Sequence, residues 1–224
     1  MTFSLVARCA ESGMFGVAVS SSSPAVAARC AYARAGTGAV ASQNITDPRL
    51  GPQCLDLMQN GATAAEAVEI VKRASVHAAY RQVLAVDRFG GTGVHSGANA
   101  LGIWSAAQAD NVASGGNLLA NSGIPQAIVD GFLAAPGPLG DRMIAAMRAG
   151  LKAGGEAGPV RSAGLKLVDD VDWPVADLRC DWTEACPIEA LAGLWDLYKP
   201  QLDDYVTRAL NPGDAPGYGV PGDP

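Results

Sequence analysis

β-patterned apolar sequence begins at the second position of this chain. Residues 3–9 and 14–20 are short runs of this kind, separated by Glu11-Ser12-Gly13, which has a turn composition. A chain that opens on a hairpin must bury one face of it, so sheet structure organises the fold from the first strand. Ser20-Ser21-Ser22-Ser23-Pro24 marks a loop, and an Ala-rich stretch then leads through Gly36-Thr37-Gly38 into a further apolar run, 39–42.

Helical signals follow. Asp47 with Pro48 behind it reads as a helix N-cap and first residue, opening a segment with Leu50, Leu55 and Met58 on one face and Gly61 at its close. Thr63-Ala64-Ala65-Glu66 is a capping box that starts a second helix, running to about residue 74. The pattern returns to strands at 80–86, 93–97, 101–107 and 111–114, as a meander or part of one. Helices are expected at 125–134 and 139–153, the latter stopped by Gly154-Gly155, and strands at 162–168 and 176–179. Ile188, Leu191, Trp195, Tyr198, Leu202, Tyr205 and Ala209 recur at helical spacing, with Pro200 opening a second helical piece. Their apolar stripe reads as core packing, with a homo-oligomer interface as the other use of such a face. Runs of strands alternating with runs of helices predict an α+β fold in stacked layers, helices outside a pair of sheets. The expected organisation is one domain over 1–210 and a Pro/Gly-rich tail over 211–224.

Composition limits the partners. Of the 224 residues 49% are hydrophobic and 17% charged, which suits a folded chain, and no segment reaches the ~18 consecutive apolar residues of a membrane span. A formal charge of −6 argues against a nucleic-acid or anionic-lipid surface and leaves a small molecule as the expected partner. Residues 1–8 lack the basic start and apolar length of a secretory signal, so a cytoplasmic location is expected. Cys9, Cys30, Cys54, Cys180 and Cys186 are scattered and include no C-x-x-C pair, which predicts buried thiols rather than disulfides or a zinc site.

Candidates for chemistry are few. The histidines are His77 and His95; His95, within Gly93-Val94-His95-Ser96-Gly97, is the better functional candidate, yet no G-x-S-x-G elbow exists to complete a serine triad with it. Gly36-Thr37-Gly38-Ala39-Val40-Ala41 has the letters of a dinucleotide fingerprint without the strand before it and the helix within it. No P-loop and no His/carboxylate metal cluster is present, so neither cofactor nor metal is expected. Thr2 remains. Removal of Met1 would leave a hydroxyl and a free α-amine on one residue, and an α-amine titrates near ~7.7 to 8.0, so it accepts the hydroxyl proton without a histidine.

The chain also resembles a known family. Thr2-Phe3-Ser4-Leu5-Val6-Ala7, Gly16-Val17-Ala18-Val19-Ser20, Gly36-Thr37-Gly38-Ala39-Val40-Ala41-Ser42-Gln43 and Arg49-Leu50-Gly51 carry the likeness. It continues through Arg81-Gln82, Asp87, Gly97, Gly116-Asn117-Leu118-Leu119, Gly154-Gly155, Arg161-Ser162-Ala163 and Asp177-Leu178-Arg179. In this order and spacing they resemble the bacterial proteins catalogued as domain of unknown function 1028, placed among the N-terminal-nucleophile hydrolases. The resemblance implies a four-layer αββα sandwich, two antiparallel sheets between helices, with Thr2 as nucleophile. It makes Ser20 and Ser21 candidates to hydrogen-bond Thr2, and Asn117 a candidate oxyanion donor. Near Ser21 the family often has Lys or His; here Ser stands instead. Arg81 and Arg161, at expected strand starts, are candidates to fork onto a substrate carboxylate, and Gln43 and His95 to line the pocket.

The leading expectation is an amidohydrolase acting on a small amide, a carboxylate-bearing one among the candidates. The alternatives are a catalytically silent small-molecule-binding protein on the same scaffold and a serine hydrolase dependent on His95.

Overall fold

A computed structural model describes residues 1–222; Asp223 and Pro224, the end of the expected tail, lie outside them. The elements run β1 (Thr2–Arg8), β2 (Phe15–Ser21), α1 (Ala27–Cys30), β3 (Ala31–Arg34), β4 (Gly38–Gln43), α2 (Leu50–Gln59) and α3 (Ala64–Ala74). Then come β5 (Gln82–Asp87), β6 (Thr92–Ser96), β7 (Ser105–Ala109), β8 (Val112–Asn117), α4 (Ile124–Ala134) and α5 (Leu139–Lys152). β9 (Ser162–Val168), β10 (Ala176–Cys180), α6 (Pro187–Tyr198) and α7 (Leu202–Leu210) complete the order. Among the described residues, no helix is long and apolar enough to cross a membrane.

The strands form two antiparallel sheets, one ordered β10-β9-β2-β1-β8-β7 and one ordered β3-β4-β5-β6. Strand parity assigns each side chain to a layer, because successive residues point to opposite faces. Phe3, Leu5 and Ala7 of β1 join Ile128, Phe132, Met143 and Met147 of α4 and α5 in one core cluster. Val6, between them in sequence, meets Val17, Val19, Ala41, Leu84 and Val86 in a second cluster drawn from both sheets. The opposite face of the four-stranded sheet, through Val40, Val83 and Ala85, packs on Leu55, Met58, Val68 and Val71 of α2 and α3. The protein is therefore α+β, with two facing antiparallel sheets and helices packed on their outer sides.

Several expectations are corrected. The strands expected as one meander divide between sheets: β5 and β6 pair in the smaller, β7 and β8 in the larger. β3 falls within the Ala-rich stretch; Ala31-Tyr32-Ala33-Arg34 lacks β-branched residues and is a strand because β4 pairs with it. Asp47 does not cap α2. Its carboxylate instead accepts from Arg49 N at 3.1 Å, a turn ahead of the helix. The Thr63 capping box forms as expected, Glu66 N donating to Thr63 Oγ1 at 3.2 Å and Thr63 N to Glu66 Oε2 at 2.8 Å. α6 buries Ile188, Leu191 and Trp195, whereas α7 has no fully buried residue. The segment after α7 folds back: Arg208 donates to the carbonyls of Pro216 and Gly217 and lies over the Tyr218 ring at 4.0 Å.

Candidate active site at the head of the first strand

The layer between the sheets changes character along its length. Val6, Val17 and Val86 fill it with hydrocarbon, but toward the head of β1 the same parity brings inward Ser4 and Thr2, with Gln43, Gln82, Asn117 and Ser21 from the neighbouring strands. Buried polar groups need partners, and these supply one another. Ser4 Oγ donates to Gln43 Oε1 at 2.7 Å, Gln43 Nε2 donates to Gln82 Oε1 at 2.7 Å and to the Gly115 carbonyl at 3.1 Å, and Asn117 Nδ2 reaches Gln82 Oε1 at 3.4 Å. Gln82 Nε2 is held by Ser96 Oγ at 2.9 Å and the Gly116 carbonyl at 3.1 Å.

Above this network lies a cavity of about 270 Å³ lined in part by Met1, Thr2, Ser23, Arg29, Asn44 and Asn117. Thr2, opposite Asn117 in the β1–β8 register, is 7% exposed. Its Oγ1 lies 2.5 Å from the Met1 carbonyl oxygen and 3.3 Å from Ser21 Oγ. Ser21 Oγ also donates to the Met1 carbonyl and sits 2.8 Å from Ser23 Oγ, which accepts from Arg29 Nη2 at 2.7 Å. With Ser21 donating to the carbonyl, Ser23 donates to Ser21. A guanidinium thus polarises a chain of two hydroxyls that ends on a carbonyl oxygen.

Not all the candidates meet here. Ser20 has the opposite parity to Thr2 and donates to the Ser162 carbonyl at 3.1 Å. Gln43 is wholly buried beneath the cavity. Arg161 donates its backbone N–H to the Ser21 carbonyl at 2.8 Å, but its guanidinium pairs with Glu184. Arg81 donates to the Ile45 carbonyl and borders a separate hollow with Asp47, Arg49 and His77. His95 sits on β6 with Nε2 2.8 Å from the Ala78 carbonyl and lines another depression. The structure brings together Thr2, Ser21 and Asn117, and leaves Ser20, Arg81, His95 and the Arg161 side chain apart from them.

Sequence reasoning missed Ser23, Arg29, Asn44, Ile45 and Glu156. Asn44 and Ile45 both take positive φ, 58° and 43°, beside the cavity. Asn adopts that conformation readily, but for β-branched Ile it is strained by ~1–3 kcal/mol, a cost that the fold sustains at few places. Asn44 is fixed there by donating to the Tyr80 carbonyl at 2.6 Å and accepting from Leu101 N at 3.1 Å. Cys30 also lines the cavity, and burial pushes its thiol up, so it stands protonated and a poor nucleophile.

Glu156 follows Gly154 and Gly155, whose φ of 128° and 60° turn the chain sharply at the end of α5. It bridges Leu119, just beyond Asn117, and Oε2 accepts from Ser22 N at 3.1 Å. Only 5% of the residue is exposed, and Oε1 has no partner. Burial pushes the carboxyl up to about 7, against the pull of the Met1 amino group and the Ser22 hydrogen bond. The folded-state value lies above the reference of 4.5, so the stability tied to the protonated form is full below pH 4.5 and is lost as pH rises through about 7. Glu156→Gln is expected to remove this dependence and to gain about 2–3 kcal/mol on the parent between pH 5 and pH 8. Denaturant titrations at the two pH values measure it; parallel behaviour of the two proteins would refute it.

Among the described residues no cluster of His, Cys, Asp and Glu could hold a metal ion. What fold and site define together is an α+β protein of two facing antiparallel sheets, with a hydroxyl-lined cavity at the head of its first strand. The chain belongs to the Family of unknown function (DUF1028), whose signature matches residues 2–191. It is similar to the crystal structure of a protein of that family from Silicibacter pomeroyi, with a TM-score of 0.84 and 26% identity over 91% of this chain and 89% of that one. Anbu (ancestral beta-subunit) from Yersinia bercovieri aligns over 97% of this chain and 100% of its own at 12% identity, but its TM-score of 0.38 carries no argument. No curated protein matches the chain.

Proposed function

We propose that this chain is an N-terminal-nucleophile amidohydrolase, its layers an αββα sandwich of that superfamily, cleaving an amide bond of a small molecule. The observation that carries the reading is the convergence of Thr2 Oγ1 and Ser21 Oγ on one carbonyl oxygen at the edge of a cavity. Removal of residue 1 frees the Thr2 amine. That amine takes the proton of Oγ1 as Oγ1 bonds to the substrate carbonyl carbon; the proton passes to the leaving nitrogen as the C–N bond breaks. Water then adds its hydroxyl to the acyl carbon and returns a proton to Oγ1. In this reading Ser21, polarised through Ser23 by Arg29, and Asn117 at the cavity donate to the oxyanion. Arg29 thereby supplies a positive charge that no residue adjacent to Ser21 carries.

Natively produced protein treated with a small β-lactone, a strained acyl donor, is expected to lack Met1 and to gain the mass of one lactone, mapped to Thr2. Modification of Cys30 instead, or turnover by a chain that keeps Met1, overturns the assignment. The silent-binder reading has its own support: with residue 1 in place the Thr2 nitrogen is an amide and both hydroxyls are occupied by the Met1 carbonyl. Such a chain binds in the cavity without turnover, and the intact mass separates the two readings.

A further inference from the structure

We propose that the amide cleaved is that of an α-amino acid, an aminoacyl amide bearing a free amino group, with Glu156 as the group that receives the ammonium. The proposal rests on the nucleophile reading above and names its substrate class.

Residue 1 shows how an aminoacyl group is received at this place. Its carbonyl oxygen accepts from Thr2 Oγ1 at 2.5 Å and from Ser21 Oγ. Its thioether runs along Gly158, where an added β-carbon would lie 3.3 Å from Met1 Cε and 3.8 Å from Met1 Sδ. Its amino group makes neither a hydrogen bond nor an ion pair with Glu156; its charge favours the carboxylate from farther off, and Oε1 is left without a partner. Carbonyl and side chain thus each meet a distinct surface, and the amine leaves the Glu156 oxygen unfilled. A carbon bonded to Thr2 N and one bonded to Thr2 Oγ1 hang from atoms of the same residue that lie three bonds apart along N–Cα–Cβ–Oγ1. An acyl group arriving on Oγ1 after residue 1 has left therefore finds the same surroundings.

Glu156 supplies the second, independent sign of a ligand. A 5% exposed carboxylate with one oxygen satisfied by Ser22 N and the other unpartnered is costly to keep. An ammonium offers both the charge and the hydrogen bond that the free oxygen lacks. The reaction balances as water plus aminoacyl amide giving amino acid and amine, with no change of oxidation state.

The test uses protein freed of residue 1 and paired probes, L-methioninamide and N-acetyl-L-methioninamide. Hydrolysis of the free-amine probe is expected, with kcat/KM for the acetylated probe about 10- to 100-fold lower, the range of a hydrogen bond to a charged group. Glu156→Gln, which keeps the acceptor for Ser22 N, is expected to raise KM for L-methioninamide by a similar factor and so to abolish the preference over the acetylated probe. Calorimetry of L-methionine with a Thr2→Ala chain reports binding without turnover and should lose it in Thr2→Ala/Glu156→Gln. Should the Gln variant fail to fold, Gly158→Val is to shift preference from methioninamide to glycinamide by narrowing the side-chain slot. Equal hydrolysis of the acetylated probe overturns the substrate class and spares the nucleophile. Glu156-dependent methionine binding without hydrolysis of any amide does the reverse. Absence of both binding and hydrolysis of the free-amine probe overturns this inference.

Discussion

Thr2→Ala, in a chain freed of residue 1, is expected to lower turnover by about 10⁴-fold or more, the scale on which loss of a covalent nucleophile is felt. Thr2→Ser is expected to keep measurable turnover, because it retains both the oxygen and the α-amine. The fold should survive either change. Thr2 opens an edge of the polar layer, and its side chain touches only the Met1 carbonyl and Ser21 by hydrogen bond. Steady-state kinetics on the three proteins, with unfolding curves as the control, decides the matter. Equal rates in the parent and the Ala variant would remove the nucleophile and leave the cavity as a binding site.

The second large effect concerns stability. Gln43→Leu is expected to lower the unfolding free energy by about 3–5 kcal/mol, since several buried polar atoms lose their partners at ~1–3 kcal/mol each. Gln43 accepts from Ser4 Oγ and donates to Gln82 Oε1 and the Gly115 carbonyl, all in the closed layer between the sheets. Leu offers hydrocarbon of similar bulk and replaces none of these bonds. Because Gln82 Oε1 also receives Asn117 Nδ2, the same change is expected to loosen Asn117 at the cavity. Denaturant titration measures the first effect. A loss below 1 kcal/mol would mean that this network does not hold the polar end of the layer together.

Much of the fold was legible because its signals are local. The β1–β2 hairpin is set by residues 2–21, and the Thr63–Glu66 capping box by four consecutive residues. The limits of α4, α5 and β9 agree with the expected ones to within a residue, since each rests on the pattern of its own residues, and α5 also on the Gly154-Gly155 stop just after it. β3 escaped because Ala-Tyr-Ala-Arg has no strand preference of its own. The partition of β5–β6 and β7–β8 escaped because nothing within a hairpin says which sheet it joins.

The candidate site shows the same division more sharply. Thr2 was singled out from its position and chemistry, and Ser21 and Asn117 from the family resemblance. Ser20 and Ser21 could not be told apart by composition. Parity separates them: Ser20 pairs with Phe3 and donates to the Ser162 carbonyl, while Ser21 faces Thr2. Arg29 acts through Ser23 and Glu156 through Ser22, across 6 and 134 positions of chain, a relation without a sequence signal.

From the sequence alone came the α+β class, the opening hairpin, the limits of α4 and α5 and the nucleophile candidate, because each rests on neighbouring residues whose periodicity, capping or chemistry speaks for itself. Tertiary structure alone decided which serine meets Thr2, that the guanidinium beside it is Arg29 rather than Arg81 or Arg161, and that a buried carboxylate accepts from Ser22 N, next to that serine. Those facts depend on strand register and on loops folded together from distant parts of the chain, and burial, which sets the charge state of Glu156, exists only once they have packed.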